Sequence, residues 1–314
     1  MINRRITVLI LTVILVFSFV SCKSTDNSGE SSKTVATAEG KSTFPMTVTD
    51  SYDRQIVLDK EPERVISIGP NITEIIFALG KSDKMVGRSE YCDYPEEAKS
   101  IESVGAIEDP SIEKITELRP DLVIVSTHFK KEVVKKLEEL GIKVASFYGQ
   151  ESFEGVYSTI EKVGMVLNAE ENGEKLISEM KTKVQNVLDK VKDKARPSVY
   201  YVVSFGKMGD YTAGSDTFMG QMIEMAGGKN AADDVKGWSY SLEKLMEKNP
   251  DIMICSKYYD FKKGIEGTNG YKDLEAVKKG KLYEIDNNLL ERQGVRLADG
   301  LTELAKIIHP EAFK

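Results

Sequence analysis

The chain is poor in the residues from which metal sites and disulfide frameworks are built. Only two histidines, His128 and His309, stand in 314 residues. A bare zinc or manganese site needs a cluster of imidazole and carboxylate ligands, so this scarcity argues against a metal held by side chains alone. The three cysteines, Cys22, Cys92 and Cys255, make no disulfide framework. Cys92 and Cys255 read as free thiols, Cys255 as a small buried strand residue. No GxSxG elbow, Walker loop or HExxH segment is present. Neither a catalytic constellation nor a resident cofactor is therefore expected, and the reading is of a protein that is not an enzyme. Positive charge is short as well: 43 Lys and Arg face 50 Asp and Glu, for a net charge of −7. Nucleic acid is an unlikely partner for such a surface, because phosphates are met by a basic footprint. Finally, there is no long hydrophobic run. The apolar stretch at residues 6–19 is shorter than the roughly 20 residues that cross a bilayer.

What that stretch does fit is an export signal. Arg4 and Arg5 precede it and the small residue Ser21 follows it, which is the pattern of a secretory signal over residues 1–21. Phe19-Val20-Ser21-Cys22 resembles a bacterial lipobox, although Phe19 stands where that motif usually has Leu. The resemblance implies that the Cys22 thiol is diacylated, with palmitate-type chains, and becomes the mature N-terminus. Residues 22–43 are dominated by Ser, Thr, Lys, Gly and Ala, with Val35 as the one large apolar residue before Phe44. Such a stretch buries too little surface to offset its ordering entropy, so a flexible tether is expected. The address is then the extracytoplasmic face of the cell membrane, reached through a lipid anchor alone. Removal of Arg4 and Arg5 with the signal takes the formal charge from −7 to −9.

The remainder, about 270 residues, is large for one domain and comfortable for two. It writes one motif twice. Residues 111–126 read SIEKITELRPDLVIVS and residues 241–256 read SLEKLMEKNPDIMICS, with Ser, Glu, Lys, Glu, Pro, Asp, Ile and Ser recurring at the same places. Each copy reads as a short helix running into a buried strand. Two copies imply two similar lobes, and two lobes imply a cleft between them.

The surrounding pattern supports an α/β class, with two Rossmann-like lobes, parallel central sheets and one long joining helix. In the first lobe, residues 44–168, a hairpin is expected over 44–58. Strands follow at 64–69, 85–87, 122–126 and 143–147. Helices separate them, one starting where Asn71 and Glu74 have N-cap and N3 spacing. Strands separated by helices make a parallel sheet covered on both faces. The second lobe, residues 197–314, repeats this with strands at 198–204, 252–256 and 282–285, helices at 217–226 and 297–308, and without an equivalent of the strand at 85–87. Between them, within residues 169–196, Leu176, Ile177, Met180, Val184, Val187, Leu188 and Val191 form one apolar face. A helix over residues 170–194 would be a stiff brace that favours small lobe motions.

Taken together, Pro62-Glu63-Arg64-Val65-Ile66-Ser67, Asn71-Ile72-Thr73-Glu74, Glu90-Tyr91-Cys92-Asp93-Tyr94-Pro95, both repeat copies and Arg296-Leu297-Ala298-Asp299-Gly300 through His309-Pro310-Glu311 resemble a known class. It is the helical-backbone class of substrate-binding proteins that serve ABC importers for cobalamin, ferric siderophores and haem. The resemblance covers residues 44–313. It implies a monomeric receptor that captures a metal chelate (a corrinoid or ferric siderophore, less readily haem) and meets a dimeric permease with its ATPase. It also implies that Glu113 and Glu243, which match the class's docking glutamates, reach arginine pockets on that permease. Dipole compensation at the second position of a helix would place a glutamate there equally well. A surface enzyme using the same cleft, or a ligand-sensing module, are the alternatives.

The ligand is expected beyond the strand ends, where loops of both lobes converge. Candidates are Asn71, Tyr91 and His128, with Pro70, from the first lobe. From the second they are Trp238, Tyr258 and Arg292, with Tyr259. Tyr91 and Trp238 match regions that supply aromatic walls in the cobalamin-binding relatives, and Glu291-Arg292 matches a late loop that reaches the cleft in that class. Flat aromatic faces suit a corrin, porphyrin or catecholate chelate. His128 is a candidate haem-iron ligand or a surface histidine. Arg88, Arg292 and Arg296 fit either carboxylates of an anionic chelate or structural ion pairs. Tyr94 and Tyr240 read as packing residues.

Overall fold

The computed structural model describes residues 42–127 and 129–314. The expected signal, the tether, Cys22 and His128 lie outside the described residues. Within them the chain opens on an antiparallel hairpin, β1 (Met46–Thr49) and β2 (Gln55–Leu58), closed by a turn in which Asp53 takes φ 60°. Alternation sends Val48, Ile56 and Leu58 into the core.

The first parallel sheet is built from β3 (Val65–Ile68), α1 (Pro70–Ala78), β4 (Met85–Arg88), α2 (Ile112–Glu117), β5 (Leu122–Val125), α3 (Lys131–Glu139) and β6 (Val144–Ser146). Its strand order is β4-β3-β5-β6. Val-Ile-Ser-Ile in β3 and Leu-Val-Ile-Val in β5 are buried at every position, as strands covered by helices on both faces must be. Next come α4 (Phe153–Val166) and the long α5 (Glu170–Val191). At 22 residues α5 is about 33 Å long, three residues shorter at its C-terminal end than its apolar stripe suggested.

The second sheet follows the same plan, with β7 (Ser198–Val202), α6 (Phe218–Met225), β8 (Lys229–Asn230), α7 (Leu242–Lys248), β9 (Ile252–Ser256), α8 (Phe261–Gly267), α9 (Glu275–Lys278), β10 (Leu282–Ile285), α10 (Asn288–Glu291) and the closing α11 (Leu297–Ile308). Its order, β8-β7-β9-β10, is that of the first sheet. The expectation that the second lobe lacks a counterpart of β4 is therefore corrected. That strand is present but cut to two residues, each paired with β7.

The repeat owes its recurrence to shared local chemistry. Ser111 Oγ accepts the Lys114 N–H at 3.2 Å and Ser241 Oγ accepts the Lys244 N–H at 3.3 Å, so both serines are N-caps. The aspartates tie each strand to its neighbour: Asp121 accepts the N–H groups of Glu63 and Arg64 at 2.9 and 3.0 Å, and Asp251 accepts that of Ser198 at 2.8 Å. Arg119 and Asn249, also 130 residues apart, turn the chain with φ 46° and 40°. The helix ends at Gly80 and Gly227 match too. Lys81 N–H reaches Ile76 O at 3.1 Å and Gly228 N–H reaches Ile223 O at 3.0 Å, the six-to-one bond of a Schellman turn.

One core runs through both halves. It joins Ile72, Ile75, Ile76 and Leu79 of α1, Val156, Ile160 and Val163 of α4, Ile177, Met180 and Val187 of α5, Met222 and Ile223 of α6, and Leu301, Leu304 and Ile308 of α11. The rings of Phe153 and Phe218 meet edge-on across the lobes at 5.6 Å. Each fully buried Ile or Leu contributes about 1.5–3 kcal/mol, so a core shared along α5 resists large relative motion of the lobes.

The start of α1 is not the one that spacing suggested. Gly69, at φ 126°, is the N-cap and Pro70 the first helical residue, so Asn71 and Glu74 do not form a capping box. Glu74 instead points into the interior, where its side chain is 1% exposed.

Candidate functional site

In each sheet the chain leaves the central pair of strands in opposite directions, toward β4 and β6 from β3 and β5, and toward β8 and β10 from β7 and β9. Such a switch point opens a crevice at the C-terminal strand ends. The two crevices face one another. The segment after β10, in the second lobe, reaches the helix and loops after β3 and β4 in the first. Asn71 Nδ2 donates to Gln293 O at 3.3 Å, and Arg292 Nη2 donates to Tyr91 O at 3.3 Å.

The first crevice is tightly shaped. A Cβ on Gly69 would lie 2.7 Å from Ser126 Cβ, so only glycine lets β3 and β5 come together there, and its φ of 126° demands the same. The Gly69 N–H is held by Ser89 Oγ at 2.9 Å. A cavity of about 230 Å³ sits at this point, lined by Gly69, Asn71, Ser126, Gln150, Glu151 and Arg292 among others. A larger groove, about 990 Å³, lies on the flank between α4, α5 and α6. Its floor of Phe153, Tyr157 and Phe218 is already packed in the core, and it lies away from the strand ends, so it is not the candidate site.

Across the cleft the lobes are joined by charge. Glu74 accepts Arg296 Nε and Nη2 at 2.9 and 2.6 Å and Arg292 Nη1 at 3.2 Å. Arg292 Nη1 also donates to Asp93 at 2.7 Å. The Arg296 guanidinium stacks on the Tyr94 ring at 3.9 Å. Both arginine side chains are 13% exposed. Burial lowers the pKa of each guanidinium, but the bonds from Asp93 and Glu74 outweigh it at Arg292, and those from Glu74 outweigh it at Arg296, so both end raised. At Asp93 burial works upward and the Arg292 bond overcomes it, leaving the carboxyl below its usual range.

The structure brings Asn71 and Arg292 into one cavity wall, with Pro70 beside them. Tyr91, at φ 64° and 71% exposed, does not line the cavity, but its carbonyl accepts Arg292 Nη2, which does. Trp238 is half-exposed on a second-lobe loop, where its carbonyl accepts the Thr212 N–H at 2.7 Å; it does not line the cavity. Tyr258 does not line it either. It follows β9 at the second lobe's crevice, with its hydroxyl bonded to Asp286 at 3.0 Å and to Asn288 Nδ2 at 3.1 Å. Tyr259 next to it is almost wholly exposed. Arg88 is occupied by the carbonyls of Ala98 and Ser89 at 2.8 and 3.1 Å, and Tyr240 is buried. Glu74, Ser126 and Gln150 were missed. Ser126 was detectable as the residue after β5 at the switch point, whereas Glu74 carries no local signal of its partners. Glu113 and Glu243 occupy the second positions of α2 and α7, both solvent-exposed and with no ion pair among the described residues. Cys92 and Cys255 are free and buried. No group of three or more His, Cys, Asp or Glu placed to hold a metal occurs among the described residues, and no described helix is long and apolar enough to cross a membrane.

Two facing switch-point crevices on a shared core define a two-lobed ligand-binding protein. The chain belongs to the periplasmic binding protein family, which it matches over residues 65–289. It is 35% identical over 278 residues to an uncharacterized ABC transporter substrate-binding lipoprotein of Bacillus subtilis (strain 168), covering 86% of this chain and 88% of that one. A cobalamin-binding protein of Halobacterium salinarum is 29% identical over 287 residues, covering 87% and 77%. Among solved structures, a possible iron-binding (periplasmic solute-binding) protein of Staphylococcus epidermidis superposes with a TM-score of 0.71 at 32% identity, covering 80% of this chain and all of that one.

Proposed function

We propose that this protein is an extracytoplasmic receptor that captures an intact metal chelate between its lobes and delivers it to an ABC importer. The observation that carries the reading is the pair of switch-point crevices bridged by Asn71, Arg292 and Gln293, with exposed aromatic residues in the loops of both lobes: Tyr91 in the first, Trp238 and Tyr259 in the second. Flat faces bury a planar macrocycle without demanding many directed hydrogen bonds. A corrinoid or a ferric siderophore fits that description best and haem follows. The relatives named for cobalamin and for iron support a metal-containing ligand.

Delivery rests on Glu113 and Glu243. Each lies on a separate lobe at the positive end of a helix, exposed and available to a cation on a partner. Two such carboxylates suit a two-fold permease dimer powered by its ATPase. The receptor itself is a monomer on this reading, anchored through acylated Cys22 and not inserted in the bilayer.

Because Trp238 is the only tryptophan, ligand binding in the cleft should quench the intrinsic fluorescence. Titration with cyanocobalamin, ferric siderophores and haemin is the direct test, and an unchanged signal and heat across all of them would remove the reading. Replacing Glu113 and Glu243 together by Ala should abolish uptake and leave ligand affinity intact; an equal fall in affinity would take docking away from them.

A further inference from the structure

The charges around the cleft cavity are arranged in an unexpected balance for a chelate receptor. Arg292 is the one cation lining the cavity among the described residues, beside Glu151 and Glu291. It is already spent on Glu74 at 3.2 Å and Asp93 at 2.7 Å. Arg296, just behind, is held by the same Glu74 at 2.6 Å. Four carboxylates thus stand against two guanidiniums. In the facing crevice of the second lobe the pattern recurs, with Lys257 paired to Asp286 at 3.0 Å. Other cations near the strand ends of the two lobes, among them Lys130, Lys207, Lys236 and Lys263, are exposed, and water screens them.

We propose that Asp93, Glu74 and Glu151 are specificity determinants that exclude polyanionic chelates from the cleft and leave it to chelates of no net negative charge. A polyanion entering the cavity would meet Glu151 directly and would have to displace Asp93 from Arg292 to gain a cationic partner. A neutral ligand asks for neither. It needs the aromatic faces and the amide of Asn71, which the ion pairs leave untouched. Discrimination here comes from a repulsive element set beside an attractive surface, a common route to specificity. Glu74 acts from behind. Nearly fully buried, it accepts bonds from both arginines and fixes Arg292 against the first lobe, so it is a positioning residue that does not touch ligand.

This inference rests on the receptor reading, and one pair of probes separates the two. Cyanocobalamin carries no net charge, and a ferric tris-catecholate carries three negative charges. Binding of both is measured by calorimetry on the native protein and on Asp93→Asn, Glu151→Gln and the double variant. Asp93 is half-exposed and Glu151 exposed, so these changes spare the core. The native protein should bind cyanocobalamin and reject the tris-catecholate. Each single variant should gain roughly tenfold in affinity for the tris-catecholate relative to cyanocobalamin, as expected for removing a like charge near a partly desolvated ligand. Native protein that binds the trianion as tightly as cyanocobalamin, or variants that leave the ratio of the two affinities unmoved, would overturn the charge-exclusion inference and leave the receptor reading standing. Failure of the native protein to bind any chelate would overturn both.

Discussion

Replacing Glu74 by Gln tests how firmly the lobes are joined. The carboxylate accepts three hydrogen bonds from two guanidiniums, all within 3.2 Å, at 1% exposure. Removing one partner of a buried ion pair generally costs about 3–5 kcal/mol, because the opposite charge is left unpaired. Two features hold this case at the lower end. Arg292 keeps Asp93 and Arg296 keeps the Tyr94 ring, and the Gln oxygen still accepts one bond. A loss of about 3 kcal/mol is expected, or roughly 5 °C in Tm for a chain of this size. Urea unfolding followed by circular dichroism measures it. A single transition with an unchanged m value should accompany the loss, since both lobes share one core. A double-mutant cycle with Arg296→Gln should return a coupling of at least about 1 kcal/mol. A cost below about 1 kcal/mol with no coupling would refute the reasoning and reduce the cluster to a surface ion pair.

Arg119→Asn should stabilise the protein by about 1 kcal/mol in thermal unfolding, because Arg119 sits at φ 46° where the repeat's other copy places Asn249; the reverse change Asn249→Arg should cost a similar amount. Glu61 is pulled from its usual carboxyl range to about 2: burial pushes it upward, but bonds from Lys84 and Asn168 more than reverse that. Its contribution is therefore full above about pH 4.5 and lost as pH falls from there toward 2; Glu61→Gln should flatten that acid limb, by about 1 kcal/mol for this partly exposed side chain, and a carbon-detected NMR titration of Glu61 checks the shift. The Cys255 thiol is pushed up to about 12, chiefly by burial, so it should stay unreacted with a thiol reagent at pH 8 until the protein unfolds; modification of the native protein at the rate of a free thiol would contradict its place in β9.

Much of the fold was legible because its signals are local. Runs such as Ile252–Ser256 and Leu282–Ile285 are bounded by turn residues, and both strands fall where those bounds put them. The closing helix at Leu297–Ile308 was readable from its stripe in the same way. Helix α4 was overlooked although Phe153, Val156, Ile160 and Val163 carry helical spacing; Gly155 and Gly164 interrupt the pattern with poor helix formers. The two-residue β8 is too short to have periodicity at all. The site was legible only in part for a different reason. Glu74 meets Arg292 and Arg296 at sequence separations of 218 and 222, and nothing in the spacing of Asn71 and Glu74 distinguishes a cap from a buried acceptor. The repeat, by contrast, gave its serines, aspartates and glutamates comparable places because each copy reproduces its own surroundings.

The shared core also sets when folding can finish. Helix α5 packs against α11, and Ile177, Met180 and Val187 of the one share a core with Leu301, Leu304 and Ile308 of the other. Until those last residues are free to pack, the brace between the lobes keeps an open apolar side. A chain that is threaded end-first through a narrow channel therefore reaches its stable form only after the final helix has passed through, which keeps it slack for the whole of the passage.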